Sequence, residues 1–468
     1  MQSRWVLQGV RAGGTLVLTL LAVAIASNEL SHSLVRGIPG FAIFPYEPSS
    51  GQDLLAEATV AGLLIMLACA SLFRPRPRRL LDTVFVVQKR VLFGMVGLAA
   101  LGYFDYTFAM PRLTLILTTT MLLVALPMLF VLIRSRPLGS PSRVLIVGND
   151  RETMIDVLEI TDLPVIGYVS PPRQISEADR LTDGGANDGL SRLDALGGLS
   201  RLDEVLVKHD VDTAVLAFSS PDRAEFFGAI DSCYEHGVRA KIHRAHADAV
   251  LTRGFGDSVL VDIDLEPWGM VNHILKRGFD LVFAGLGLTL LAPVIGAIAL
   301  LIWAEDGGSI LYSQRRTASF GGTLEIHKFR TMIEDAESDG AQLSAEGCGQ
   351  PDTRVTRVGR ILRRTHLDEI PQLWPILLGR MSVVGPRPER PELDGEMEAS
   401  VSTWRSRWFV KPGLTGLAQI RGATGHSPHT KLRYDVEYIR RQSFWFDLKI
   451  VLRQLHGVGR DFAAVLAR

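Results

Sequence analysis

The chain has no surplus of charge. Fifty lysines and arginines stand against 50 aspartates and glutamates, for a formal net charge of 0 over 468 residues. Without a basic excess, nucleic acid is not an expected partner. Cysteine is scarce: Cys69, Cys233 and Cys348 are too far apart for a metal spacing or a disulfide framework, which fits a reducing compartment. The Gly-x-Gly-x-x-Gly fingerprint is missing, and so is a Tyr-x-x-x-Lys site near the middle of the chain. Both absences argue against a Rossmann-type nucleotide-sugar dehydratase or epimerase. The first apolar run lacks a clear small-residue cleavage site and further runs follow it, so it reads as a membrane span and not as a cleaved signal.

Apolar sequence, by contrast, is plentiful and comes in blocks. Mean hydropathy is +0.19. Runs at 6–27, 54–73, 91–110 and 113–133 each approach the roughly 20 residues that cross a bilayer. Basic residues at Arg4 and Arg11, from Arg74 to Arg79 with Lys89 and Arg90, and at Arg134 and Arg136 place three flanks in the cytoplasm. Residues 1–140 are thus expected to form four transmembrane helices, with Arg11 reaching back to the inner interface. The spans carry few ionisable groups, which favours an anchor over a transport path.

After Pro141 the composition turns soluble. Expected strands at 144–148, 165–169, 213–218 and 238–243 alternate with helices at 151–160, 202–209 and 223–236. That is the pattern of a parallel sheet with covering helices, here a Rossmann-like (CoA-binding-like) domain over 141–265. Gly148-Asn149-Asp150 is its candidate nucleotide site. Without the fingerprint, a structural or regulatory role and an active cofactor site both stay open. The stretch 182–190 reads as a surface loop.

A fifth apolar run, 281–303, has Lys276 and Arg277 before it, Arg315 and Arg316 after it, and Pro293 at its centre. Positive charge on both flanks puts both ends on one side, and the proline removes a helical hydrogen bond. A re-entrant helix–break–helix fits both facts; a kinked span is the alternative.

The densest chemistry lies at 360–390. Thr365-His366-Leu367-Asp368 has capping-box spacing, which predicts a helix start with Asp368 in its first turn and Pro371 tolerated early. Asp368 and the adjacent Glu369 would point about 100° apart, so one can face substrate while the other holds a metal. Arg363, Arg364 and Arg387 supply cations for phosphates. Lys328 and Arg330 are expected on one face of a strand after a hairpin at Gly321-Gly322. Gly-Pro turns at 384–388 and 410–416 are expected to bring backbone and cations to phosphate oxygens. Trp404, Trp408, Phe444, Trp445 and Phe446 read equally as interfacial anchors or as core.

KRGFD at 276–280, Pro293, YSQRR at 312–316, HKFRTM at 327–332, the run 352–392, RWFVKPGLTGLAQIRG at 407–422 and KLRYDVEYI at 431–439 occur in order. With these, the C-terminal part, 266–468, resembles the bacterial sugar transferases, the monotopic phosphoglycosyl transferases. The resemblance implies a mixed α/β catalytic domain on a re-entrant hairpin, in a multi-pass protein of the bacterial inner membrane with its catalytic domain at the cytoplasmic face. It implies transfer of a hexose 1-phosphate from a UDP-sugar, UDP-glucose or UDP-galactose, to undecaprenyl phosphate, starting assembly of an exopolysaccharide, capsule or O-antigen. Asp368 would be the nucleophile, Glu369 the Mg²⁺ ligand, Arg363, Arg387, Lys328 and Arg330 the phosphate cations, and Pro293 the hairpin break. A homo-oligomer is compatible with this layout. Arg421 stands where the family often has asparagine, which bears on the choice of sugar. A membrane scaffold with a degenerate site is the rival reading, and the intact Asp368, Glu369 and Arg387 argue against it.

Overall fold

The computed structural model describes residues 2–36, 51–73, 79–104, 110–135, 143–160, 164–171, 189–253, 259–333, 336, 352, 354–401 and 403–466. Cys348, Arg136, residues 74–78 and nearly all of the expected 182–190 loop lie outside them. By contacts the chain divides into two compact units, Met1–Val215 with Ser232–Arg239, and Leu216–Asp231 with Ala240–Arg468.

The first unit opens with α1 (Gln2–Ala26), a short α2 (Glu29–Arg36), α3 (Gln52–Phe73), α4 (Leu80–Phe104) and α5 (Arg112–Ser135). α1 packs on α3 and α5, and α4 packs on α3 and α5. The four long helices therefore close around Ile65, Cys69, Val87, Val91, Leu122 and Leu126. Each contains a stretch long and apolar enough to cross a membrane. α4 starts at Leu80, not at 91, so Lys89 and Arg90 sit inside a helix and not in the preceding loop. Hydropathy alone starts the run after the last charge, whereas the backbone hydrogen bonds do not stop there.

The middle of the chain forms β1 (Val144–Gly148), α6 (Arg151–Ile160), β2 (Val165–Val169), β3 (Ala195–Gly197), α7 (Leu202–His209), β4 (Thr213–Ala217), α8 (Phe226–His236), β5 (Arg239–His243) and β6 (Leu260–Asp262). The strand order is β3-β2-β1-β4-β5-β6. β1–β2 and β2–β3 are parallel, while β6 adds an antiparallel edge to β5. β1 and β4 are buried along their whole length, as continuous apolar runs in covered parallel sheets are. β3 and β6 were not legible, because three residues carry no periodicity.

The second unit is built on α9 (Met270–Asp306), 37 residues assigned as helix without interruption. Pro293 therefore does not split it into two helices. A proline removes one hydrogen bond and bends a helix more readily than it ends one. Both ends of α9 are tied to the same folded unit. Near its start, Lys276 is buried and donates to Val384 O at 2.8 Å, Tyr438 Oη at 3.0 Å and Asp447 Oδ2 at 2.8 Å. Asp280 accepts from Val383 N and Ser382 Oγ, and Arg277 donates to the carbonyls of Ile376 and Leu377. Near its end, Glu305 accepts from the backbone N–H groups of Arg357 and Val358, and Asp306 pairs with Arg330. Between the ends, Leu290, Val294 and Pro293 itself are exposed. Lys276 and Arg277 thus fasten the start of α9 to the rest of this unit.

The fastener has a measurable weight. Breaking a buried ion pair from one side costs about 3–5 kcal/mol, because the remaining charge is left uncompensated. Lys276→Met is expected to lower the melting temperature of the detergent-purified protein by about 10 °C. A scan unchanged within 2 °C, roughly the shift expected for 1 kcal/mol, would show that the pair adds little.

Beyond α9 come the hairpin β7 (Leu311–Thr317) and β8 (Thr323–Phe329), then α10 (Arg357–Thr365), a 3-10 turn Leu367–Gln372, α11 (Leu373–Leu377), β9 (Ser382–Val384) and α12 (Pro391–Ser400). A second 3-10 turn, Trp404–Phe409, precedes β10 (Gly413–Thr415), α13 (Leu417–Ile420), α14 (Pro428–Arg441) and α15 (Phe444–Leu466). β9 and β10 pair in parallel. Trp404 and Trp408 are core, whereas Trp445 is 74% exposed.

Candidate active site

Asp368 and Glu369 lie in the 3-10 turn, not in an α-helix begun by Thr365. Thr365 closes α10, and its hydroxyl donates to the carbonyls of Ile361 and Leu362. Thr365 therefore caps no helix start; the cap of α10 is Thr356, at the other end of that helix, accepting from Gly359 N at 2.9 Å. His366 takes the left-handed conformation, φ 56°, and turns the chain between α10 and the carboxylates.

The two carboxylates have unlike surroundings. Glu369 Oε1 accepts from Lys328 Nζ at 2.7 Å and from Arg387 Nη2, and its Oε2 accepts from Arg387 Nη1 at 3.2 Å. Burial works against its ionisation, but the Arg387 guanidinium and the Lys328 ammonium hold its pKa far below the usual carboxylate range. The Asp368 carboxylate, 8% exposed, has no hydrogen bond or ion pair among the described residues. Burial raises its pKa, opposed by Lys328 and Arg387 and aided by the Glu369 charge. Lys328 is itself lowered by burial, and Arg387 is raised, chiefly by Glu369.

Asp368 opens into a cavity of 580 Å³ together with Lys328, Arg330, Arg363, Tyr312 and Arg316. The five expected cations take unequal positions. Lys328 and Arg387 grip Glu369, and Arg363 lines the cavity from the last turn of α10. Arg330 also lines it but is tied to Asp306, and Arg364 is exposed. Arg387 faces a second cavity of 760 Å³, with Lys431, Arg453 and His456. Tyr312 and Arg316 were missed as site residues, although their alternation along β7 was a readable signal.

The glycine-rich turns pack against each other. A Cβ on Gly413 would lie 2.1 Å from Gly385 N, and one on Gly416 would lie 2.3 Å from Gly385 O. These glycines let two backbones touch, which fixes the turn that carries Pro386-Arg387. Lys411 likewise caps the carbonyl of Gly379 at 2.6 Å.

Among the described residues no three metal-ligating side chains come together. That excludes a cage made by those residues, but Mg²⁺ commonly takes one or two carboxylates and completes its shell with waters and substrate phosphates. A carboxylate offers about four lone-pair directions; Glu369 has one left, and Asp368, with none taken among the described residues, lines the cavity. Asp368, with the one free direction of Glu369 beside it, suits an ion that arrives with a pyrophosphate.

The description "bacterial sugar transferase" matches residues 271–461. The chain is 40% identical over 190 residues to the UDP-glucose:undecaprenyl-phosphate glucose-1-phosphate transferase of Escherichia coli (strain K12), covering 40% of each. It is 43% identical over 200 residues to the protein of that name from Caulobacter vibrioides, covering 41% of this chain and 73% of that one. To the exopolysaccharide production protein ExoY of Rhizobium meliloti it is 38% identical over 200 residues, 40% of this chain and 87% of that one. The match thus spans less than half of the Escherichia coli relative and nearly all of ExoY. With ExoY covered almost end to end, and with Asp368, Glu369, Lys328 and Arg387 all inside the matched stretch, the chain belongs to the bacterial sugar transferase family.

Proposed function

We propose that the protein transfers glucose 1-phosphate from UDP-glucose to undecaprenyl phosphate, with Asp368 as nucleophile, as the first step in building an exopolysaccharide. The observation that carries this is the inequality of two neighbouring carboxylates. Glu369 is clamped by Lys328 and Arg387, while Asp368 is buried, unpaired among the described residues and open to a cationic cavity. A carboxylate without hydrogen bonds is a stronger nucleophile than one dispersed over donors. The relatives named for transfer to undecaprenyl phosphate support the two substrates.

In this scheme an Asp368 oxygen attacks the β-phosphorus of the donor. The bond from that phosphorus to the bridging oxygen breaks, and UMP leaves with the oxygen. A lipid phosphate oxygen then attacks the phosphosugar held on Asp368, which releases the carboxylate and yields the polyprenyl diphosphate sugar. Splitting one meeting of two anions into two displacements is the gain of covalent catalysis. The sugar C–O bond is untouched. Arg363 and Lys328 line the cavity that would receive the phosphates, and Glu369 with Asp368 would hold Mg²⁺. The ion supplies positive charge that offsets repulsion between carboxylate and pyrophosphate.

The chemistry needs a soluble donor and a lipid acceptor at one surface. A re-entrant α9 meets that need, and two observations support it. Its two ends are fastened to one folded unit, and its exposed apolar stretch lies between them around Pro293. We place the active site at the cytoplasmic face of the inner membrane, in a chain that also carries four helices apolar enough to cross it.

Detergent-purified protein, given UDP-glucose, undecaprenyl phosphate and Mg²⁺, is expected to form UMP and a lipid-linked glucose diphosphate. Formation of UDP and a lipid monophosphate glucose instead would mean that the sugar moves without its phosphate, and the scheme would be wrong. A panel of UDP-sugars in the same assay assigns the sugar.

A further inference from the structure

Arg223 belongs by sequence to the middle domain, yet the stretch Leu216–Asp231 packs within the second unit. There its guanidinium reaches Asp394 Oδ2 at 2.5 Å and Glu398 at 3.7 Å, and lies over the Trp408 ring at 4.6 Å. Phe227, one turn on, meets the same indole edge-to-face at 5.1 Å. Asp394 is fully buried. Its other oxygen accepts from Trp404 Nε1 at 2.7 Å and stands 3.8 Å from Arg407. Arg407, 4% exposed, donates to the backbone carbonyl of Arg387 at 2.6 Å and pairs with Asp435 at 3.1 Å. From that carbonyl the Arg387 side chain extends to Glu369.

Building on the function proposed above, we infer that Arg223 is a positioning residue for the Asp368 site. By neutralising Asp394 it keeps that carboxylate from drawing Arg407 off the backbone of Arg387.

The argument turns on one gap. Arg407 stands near three carboxylates: Asp435 at 3.1 Å, Asp394 at 3.8 Å and Glu389 at 3.9 Å. Glu389 has Lys431 as a second cation, and Asp394 has Arg223. Without Arg223, Asp394 is a buried charge whose nearest remaining cation is Arg407, and an uncompensated buried charge is costly enough to pull a partner in. Closing the gap to an ordinary charged hydrogen bond of about 2.8 Å moves the guanidinium by roughly 1 Å. The carbonyl of Arg387 then loses its donor, and the clamp on Glu369 is built on a looser backbone. The stretch Leu216–Asp231 thereby acts on the chemistry without touching substrate.

The test uses full-length protein in detergent and UMP formation from UDP-glucose with undecaprenyl phosphate. Arg223→Ala is expected to lower kcat about ten- to a hundredfold, the range for a displacement near 1 Å, with KM for UDP-glucose nearly unchanged. Arg223→Lys is expected to keep most of the rate. Adding Asp394→Asn to Arg223→Ala is expected to restore it, because asparagine still accepts from Trp404 but carries no charge to draw Arg407. A native rate in Arg223→Ala overturns the inference. So does a loss that Asp394→Asn leaves unrelieved, including an Arg223→Ala protein that does not fold paired with a double variant far slower than Asp394→Asn alone. Native protein that releases no UMP overturns the functional reading and this inference with it; active native protein beside an equally active Arg223→Ala overturns the inference alone.

Discussion

Asp368→Asn is expected to release UMP about ten-thousandfold more slowly than the native protein, the scale of loss when a covalent nucleophile is removed from an otherwise intact site. The amide is nearly the size of the carboxylate, so the cavity, the clamp on Glu369 and the fold all remain. What goes is the negative charge that makes the oxygen a nucleophile toward phosphorus. The same variant is expected to be more stable than native protein at neutral pH. Burial raises the Asp368 pKa in the folded state, so its ionised form costs folding free energy at any pH above that raised value. Removing the charge recovers that cost. Below the unfolded carboxyl pKa, about 3.9, the native side chain is protonated in both states and the advantage disappears. Activity in membranes and melting curves between pH 4 and pH 8 check both halves. A variant that is inactive and also less stable at pH 8 would point to a structural role for Asp368.

Arg387→Ala carries the second large effect. The guanidinium makes two of the three hydrogen bonds on Glu369 and adds positive charge next to Asp368. Its loss leaves Lys328 as the one cation hydrogen-bonded to Glu369 among the described residues, just where a pyrophosphate would bring more negative charge. Losing one preorganised electrostatic donor costs about a hundred- to a thousandfold in kcat, and that range is expected here. Arg387→Lys is expected to recover only part, since an ammonium cannot offer the paired donors that meet both oxygens of Glu369. Steady-state UMP release measures it. Full activity in Arg387→Lys would show that charge alone is needed and that the fork geometry is incidental.

The family was legible because its motifs are local strings, and the site because adjacent carboxylates among arginines are conspicuous. The parallel-sheet strands were legible because β1 and β4 are continuous apolar runs. What was hidden is long-range. No local pattern reveals that Lys276, expected as a basic flank of the fifth apolar run, will meet Asp447, or that Arg330, expected among the phosphate cations, will be taken up by Asp306. The capping error has the same origin: Thr365 fits a helix start by spacing, and only the upstream contact of Thr356 with Gly359 shows that a helix already occupies that stretch. The unequal treatment of Asp368 and Glu369 was also beyond the sequence, because it depends on Lys328 and Arg387 arriving from two separate segments.

The central claim is a bond between an Asp368 oxygen and phosphorus. Protein incubated with UDP-glucose and Mg²⁺ but no lipid acceptor, quenched and digested, should yield the peptide containing Asp368 with the added mass of a hexose phosphate, lost on addition of undecaprenyl phosphate. An unmodified peptide in protein that turns over normally when both substrates are supplied would contradict it.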